Sequence, residues 1–287
     1  MGFMSAIKAN KALRLQKSKN YEEAARLYEE AFAEGLKDPR FMLPYALMII
    51  RQGQYQKAKE FLVANQKLSM TPGQRTELLV YYATCCFRLG TIDKGISTLE
   101  QQFRKGETGL LYQTLGYLYV EKYDRAHKPD FEVLKAEQAA AEAAETAEAE
   151  EKAEETAEEA EKPAEEAAPA MTPEEEWNAG IEKAEDFIQK SVEYDDEDPV
   201  SLDNMAEFLY RVKGDKAAAK EWFDKAIAVK ENQIDTLYFL SRYDLEAGDK
   251  AAALEKLEKA AEGRFSPLNY CSPEMVQAEI EQLKGAL

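Results

Sequence analysis

Side chains that commonly do chemistry are sparse in this 287-residue chain and poorly arranged for it. A single histidine, His127, leaves both a histidine-rich metal site and a Ser/His/Asp triad without their members. Cys85, Cys86 and Cys271 form no CxxC pair, and two of them are helix neighbours that point different ways. They suit a reducing compartment, with Cys86 packed as a small hydrophobe. Gly90-x-x-x-x-Gly95 has the glycine spacing of a phosphate loop, but Ile96 stands where the lysine is needed and no strand precedes it. The many glutamates between 136 and 176 lack the burial or close partner that a general acid requires. No enzyme activity, cofactor or metal is expected. What recurs instead is a ladder of cations, Lys17, Arg51 and Arg88, spaced 34 and 37 residues apart.

That spacing belongs to a repeat running through the chain. GDKAAAKEWFDKA at Gly214–Ala226 returns as GDKAAALEKLEKA at Gly248–Ala260, 34 residues on, and a fixed period of this length marks stacked helical hairpins. GQYQKAKEFL from Gly53 aligns with KNYEEAARLY from Lys19 and with GTIDKGISTL from Gly90. Each phrase reads as a turn followed by a hairpin's second helix. First helices lie upstream in register: Tyr112-x-x-Leu115-Gly116-x-x-Tyr119 has the same pattern of large and small residues as Leu202-x-x-Met205-Ala206-x-x-Leu209. Strand patterns with period two are nearly absent.

The pattern resembles the tetratricopeptide repeat family, in which small residues let paired helices cross closely while large ones fill the remaining space. The resemblance implies an all-α, right-handed superhelical solenoid of helix-turn-helix hairpins. Six are expected, with second helices around Ala24, Ala58, Gly95, Ala184, Ala219 and Ala253, and with a capping helix near Pro273–Lys284. It also implies that first helices line a concave groove, in which equivalent residues form lanes. One lane is Leu13, Leu47, Thr84 and Tyr117; its neighbour is Asn10, Pro44, Tyr81 and Thr114; the cation ladder is the third. The expected partner-binding residues are Leu47, Arg51, Tyr81, Thr84, Arg88, Tyr117, Asn204, Arg211, Tyr238 and Arg242. The cations equally suit helix C-termini. The polar clamp with which some relatives hold acidic chaperone tails is missing, since its positions are Ala9, Leu13 and Pro44.

The net charge of −18 is unevenly spread: residues 136–176 hold sixteen Glu and two Lys, a net −14. Gly116 and Ala206 occupy equivalent positions 90 residues apart, so the fourth hairpin carries an insertion between its two helices. The expected division is N-terminal hairpins over 1–127, an acidic Ala/Glu insertion over 128–171, and C-terminal hairpins with the cap over 172–287. The insertion has few apolar residues large enough to pack and should be a frayed helix or an extended arm. Thr172-Pro173-Glu174-Glu175-Glu176 reads as the helix start that resumes the fold.

The first residues lack the apolar core of a secretion signal, and the apolar run Met42–Ile50 is too short to span a bilayer. A cytoplasmic, non-catalytic scaffold that binds a protein or peptide in its groove is expected, with the acidic arm modulating access. Nucleic acid is disfavoured as a partner by the anionic balance. Two alternatives stand: a structural subunit using its convex face, and an acidic arm that binds basic proteins.

Overall fold

In a computed structural model, which describes residues 3–140 and 171–286, the chain is a solenoid of paired helices. The pairs are α1 (Phe3–Lys17) with α2 (Tyr21–Ala33), α3 (Pro39–Arg51) with α4 (Tyr55–Asn65), and α5 (Pro72–Arg88) with α6 (Ile92–Phe103). In the fourth hairpin, α7 (Gly109–Tyr123) leads through a 3₁₀ turn at Arg125–His127 to a helical stretch, α8, over 131–140. Its packing partner is α9 (Pro173–Tyr194), on the far side of the insertion. The last two pairs are α10 (Pro199–Glu207), which continues as a π-helical segment Phe208–Lys213, with α11 (Lys216–Val229), and α12 (Ile234–Glu246) with α13 (Lys250–Ala261). Helix α14 (Pro273–Ala286) covers the end of the stack against α13. The acidic residues 141–170, including Pro163 and Pro169, lie outside the described residues.

Local chemistry sets the boundaries. Asp38, Thr108, Asp198, Asp215 and Asp249 each accept a backbone N–H at the start of a helix. Thr71 with Gln74, and Thr172 with Glu175, form reciprocal capping boxes ahead of a first-turn proline. Several hairpin turns need a left-handed residue, supplied by Gly53, Gly90, Gly214 and Gly248; in the first hairpin that place is taken by Lys19 at φ 63°.

Small residues sit where helices cross. A Cβ added to Gly95 of α6 would stand 3.1 Å from the Ala83 carbonyl oxygen of α5, and one added to Gly116 of α7 would stand 2.8 Å from Asn204 Nδ2 of α10. Aromatic rings fill the intervals: Phe223 of α11 stacks on Phe239 of α12 at 5.2 Å, edged by Tyr210 and Tyr243. All three cysteines are buried and free. No helix among the described residues is long and apolar enough to cross a membrane.

Left-handed backbone at a residue with a Cβ costs about 1 kcal/mol. Lys19→Gly should therefore raise stability by about that amount, read as a higher urea midpoint. An unchanged or lower midpoint would contradict the strain assigned to this turn.

Candidate functional site

The first helices of the second to sixth hairpins and the connection between α13 and α14 enclose a cavity of about 490 Å³. Leu47, Tyr81, Thr84, Tyr117 and Asn204 line it, so five of the ten expected partner-binding residues converge on one space. Gln113, Thr114, Asp203, Lys230, Asp235 and Arg264 complete its polar wall. Partial burial and the Arg264 charge hold the Arg51 guanidinium below its usual pKa. Asn204 donates from Nδ2 to the Gln113 carbonyl at 2.9 Å, which ties α10 to α7 and requires the bare backbone of Gly116.

The cavity's far wall is formed by the α13–α14 connection, whose residues 266–271 lie against the first helices. Arg88 Nε donates to the Pro267 carbonyl at 2.7 Å, one terminal nitrogen of Arg88 donates to the Asn269 carbonyl at 3.3 Å, and Tyr117 donates from its hydroxyl to the same Asn269 carbonyl at 3.1 Å. From the other side, Asn269 Nδ2 donates to Asp235 Oδ2 at 2.7 Å and the Cys271 backbone N–H to Asp235 Oδ1 at 3.1 Å. Arg88, expected to meet a partner, thus holds the chain's own main chain.

Beneath this lies a buried charge cluster. Arg211, only 4% exposed, is the one buried cation among the described residues. It donates to Asp124 Oδ2 at 2.7 Å and Glu207 Oε2 at 2.6 Å, pairs with Glu121 Oε1 at 2.8 Å, and sits 4.1 Å from the centre of the Tyr270 ring. The expectation that Arg211 faces a ligand is corrected: it faces carboxylates. The backbone explains the bearing, because the π-helical segment widens the turn that carries Arg211. Arg125 secures that segment by donating to the carbonyls of Tyr210 and Arg211. Tyr238 and Arg242 are likewise engaged within the chain, both bonded to Glu279 on α14, so the cap covers them.

Asp203 and Asp235 also lie in this region, each 4% exposed or less. Burial, then the charge of Asp235, pushes the Asp203 carboxyl up to about 7. Burial also raises Glu207 well above the usual carboxylate range, and Asp235 above its ordinary value. Sequence reasoning missed these acids, although a signal for one was present. Glu207 follows Tyr117 by 90 residues, the offset relating Gly116 to Ala206, and so continues the Leu47, Thr84, Tyr117 lane. Asp235 belongs to the first turn of α12 and had no such marker.

Residues 17–102 match the family described as anaphase-promoting complex, cyclosome, subunit 3. No curated protein matches the chain by sequence. Among solved structures, TTC0263, a thermophilic TPR protein of Thermus thermophilus, superposes with a TM-score of 0.57 at 13% identity, over 86% of this chain and 99% of its own. PilW, described as a widely conserved type IV pilus biogenesis factor, gives 0.56 at 14% identity over 93% and 98%. Human IFIT1, solved as a dimer with m7Gppp-AAAA, gives 0.55 at 16% identity over 96% of this chain and 53% of that one. At these identities the likeness is one of fold. Together with the repeat register it gives the chain the fold of a tetratricopeptide repeat solenoid.

The raised Asp203 pKa has a definite sign. Between the ordinary value of 3.8 and about 7 the folded chain binds more protons at Asp203 than the unfolded chain does, so this residue's contribution to stability is full below the lower value and lost as pH rises through the upper. Asp203→Asn keeps an acceptor for the Thr236 hydroxyl but cannot ionise. Its stability relative to wild type should increase steadily from about pH 4 to about pH 8 in urea titrations without added metal. A difference that stays constant with pH would refute the assignment.

Proposed function

We propose that the chain is a non-catalytic scaffold that holds a peptide segment of a partner protein along its concave groove. The observation that carries this reading is the 266–271 segment itself. Arg88 and Tyr117 grip it through main-chain carbonyls, at 2.7 Å to Pro267 and 3.1 Å to Asn269, and Asp235 accepts the Cys271 N–H. Donors aimed at carbonyls and an acceptor aimed at an amide are the chemistry of peptide recognition, and the cavity beside them has space for further side chains. Leu47, Tyr81 and Leu110 give it apolar surface, while Thr84, Gln113 and Asn204 give it hydrogen-bonding groups.

A protein segment suits this wall better than nucleic acid does. IFIT1 has been solved with m7Gppp-AAAA, but here the chain's net charge of −18 disfavours contact with phosphates. The acidic insertion, of net −14, is opposite in sign to Arg51, Arg264 and Lys230 in and beside the cavity, and we read it as modulating access. Three buried, unpaired cysteines fit a cytoplasmic setting.

The test is affinity capture with four baits: the intact chain, a chain lacking residues 136–166, a groove variant carrying Arg51→Glu and Leu110→Glu, and a control carrying Lys94→Glu on α6. Exposed Leu110 lines the cavity, and Lys94 lies outside it. The specific partner should be lost from the groove variant and kept by the control, and the truncated bait should bind with altered affinity at low salt. Full retention by the groove variant would overturn the groove reading; unchanged affinity of the truncated bait would remove the insertion's role.

A further inference from the structure

We infer that Asp203, Glu207 and Asp235 form a binding site for one divalent, oxygen-preferring metal ion at the base of the groove cavity. Each offers a carboxylate oxygen, and the three oxygens lie within 4.8 Å of one another. That spread fits ligands around a single ion whose metal–oxygen distances are about 2.0–2.6 Å. All three side chains are buried, Glu207 the most deeply at 1% exposure.

The orphaned oxygen of Glu207 points independently to an occupant. Glu207 Oε2 accepts from Arg211, but Oε1 is buried without a hydrogen-bond partner. A buried carboxylate oxygen left unpaired is costly, and proteins relieve that cost with a proton, a donor or a metal. Arg211 is already shared among Glu207, Glu121 and Asp124, so it leaves Asp203 and Asp235 without a buried cation. Neutral donors satisfy these two in part: Thr236 serves Asp203, and Asn269 and Cys271 serve Asp235. Hydrogen bonds from neutral groups stabilise the carboxylates without neutralising them. A divalent ion would add two positive charges where the surplus lies.

Access and selectivity follow from the surroundings. Asp203 and Asp235 line the cavity of about 490 Å³, which provides a route in and space for coordinated water. Three carboxylates with no imidazole suit hard ions such as Ca²⁺, Mn²⁺ or Mg²⁺. The expectation of no metal site missed this group because its members come from α10 and α12 and share no linear motif. The inference stands apart from the groove proposal, since an ion can bind here whether or not the partner is a peptide.

Chelator-treated full-length protein should be titrated with Mn²⁺ at about pH 7.5, following bound metal by the Mn²⁺ paramagnetic resonance signal and stability by thermal melting. One saturable site and a rise in melting temperature are expected. Glu207→Gln and Asp235→Asn keep side-chain shape, and each should weaken that site at least about tenfold while circular dichroism reports an intact fold. Weak adsorption to the glutamates of the insertion is common to all variants and cancels in the comparison. Wild-type protein with no saturable site, or a site of equal affinity in both variants, would overturn the assignment.

Discussion

The tie on which the lower half of the solenoid depends is the buried guanidinium of Arg211. It joins Glu121 and Asp124, at the end of α7, to Glu207 on α10, with contacts of 2.6–2.8 Å. Taking ions out of water costs several kcal/mol each, so such a cluster persists only with well-placed partners. The same side chain packs under Tyr270 and thereby links the fourth and fifth hairpins to the connection before the cap. An apolar residue of similar volume would leave three carboxylates facing one another. The arrangement specifies position, because Arg211, on the segment that continues α10, must meet Glu121 and Asp124 at the end of α7.

Around that tie, the architecture follows from period and size. Much of it is legible in the sequence because close crossings require small residues at fixed offsets. Gly95 against Ala83 and Gly116 against Asn204 are such crossings, and a helix face repeats with its hairpin. The offset that aligns Gly116 with Ala206 reaches across the insertion, and α7 indeed packs on α9. The same logic picked out Leu47, Tyr81, Thr84 and Tyr117, which line one cavity. It failed where structure departs from the period. The π-helical turn gives Arg211 a new bearing, the cap takes Tyr238 and Arg242, and the α13–α14 connection, which has no counterpart between other hairpins, occupies Arg88. Non-periodic contacts between residues some 150–180 apart leave no trace in a repeat register.

The groove combines two kinds of surface with different uses. Its upper wall holds the 266–271 main chain through Arg88, Tyr117 and Asp235, with Asp235 also taking the Asn269 side chain. Its floor carries the buried carboxyl groups of Asp203, Glu207 and Asp235. These parts meet at Asp235, which bonds to the 266–271 segment and also belongs to the acidic triad.

The central claim is that the concave face grips main chain through named side chains. Backbone hydrogen exchange of residues 269–271, compared between wild type and an Arg88→Ala, Tyr117→Phe, Asp235→Ala triple variant, tests it most directly. The account predicts slow exchange at Cys271 in wild type, comparable to the interior of α12, and a marked acceleration confined to this segment in the variant. Exchange at free-loop rates in the wild-type protein, or protection that survives all three substitutions, would contradict it.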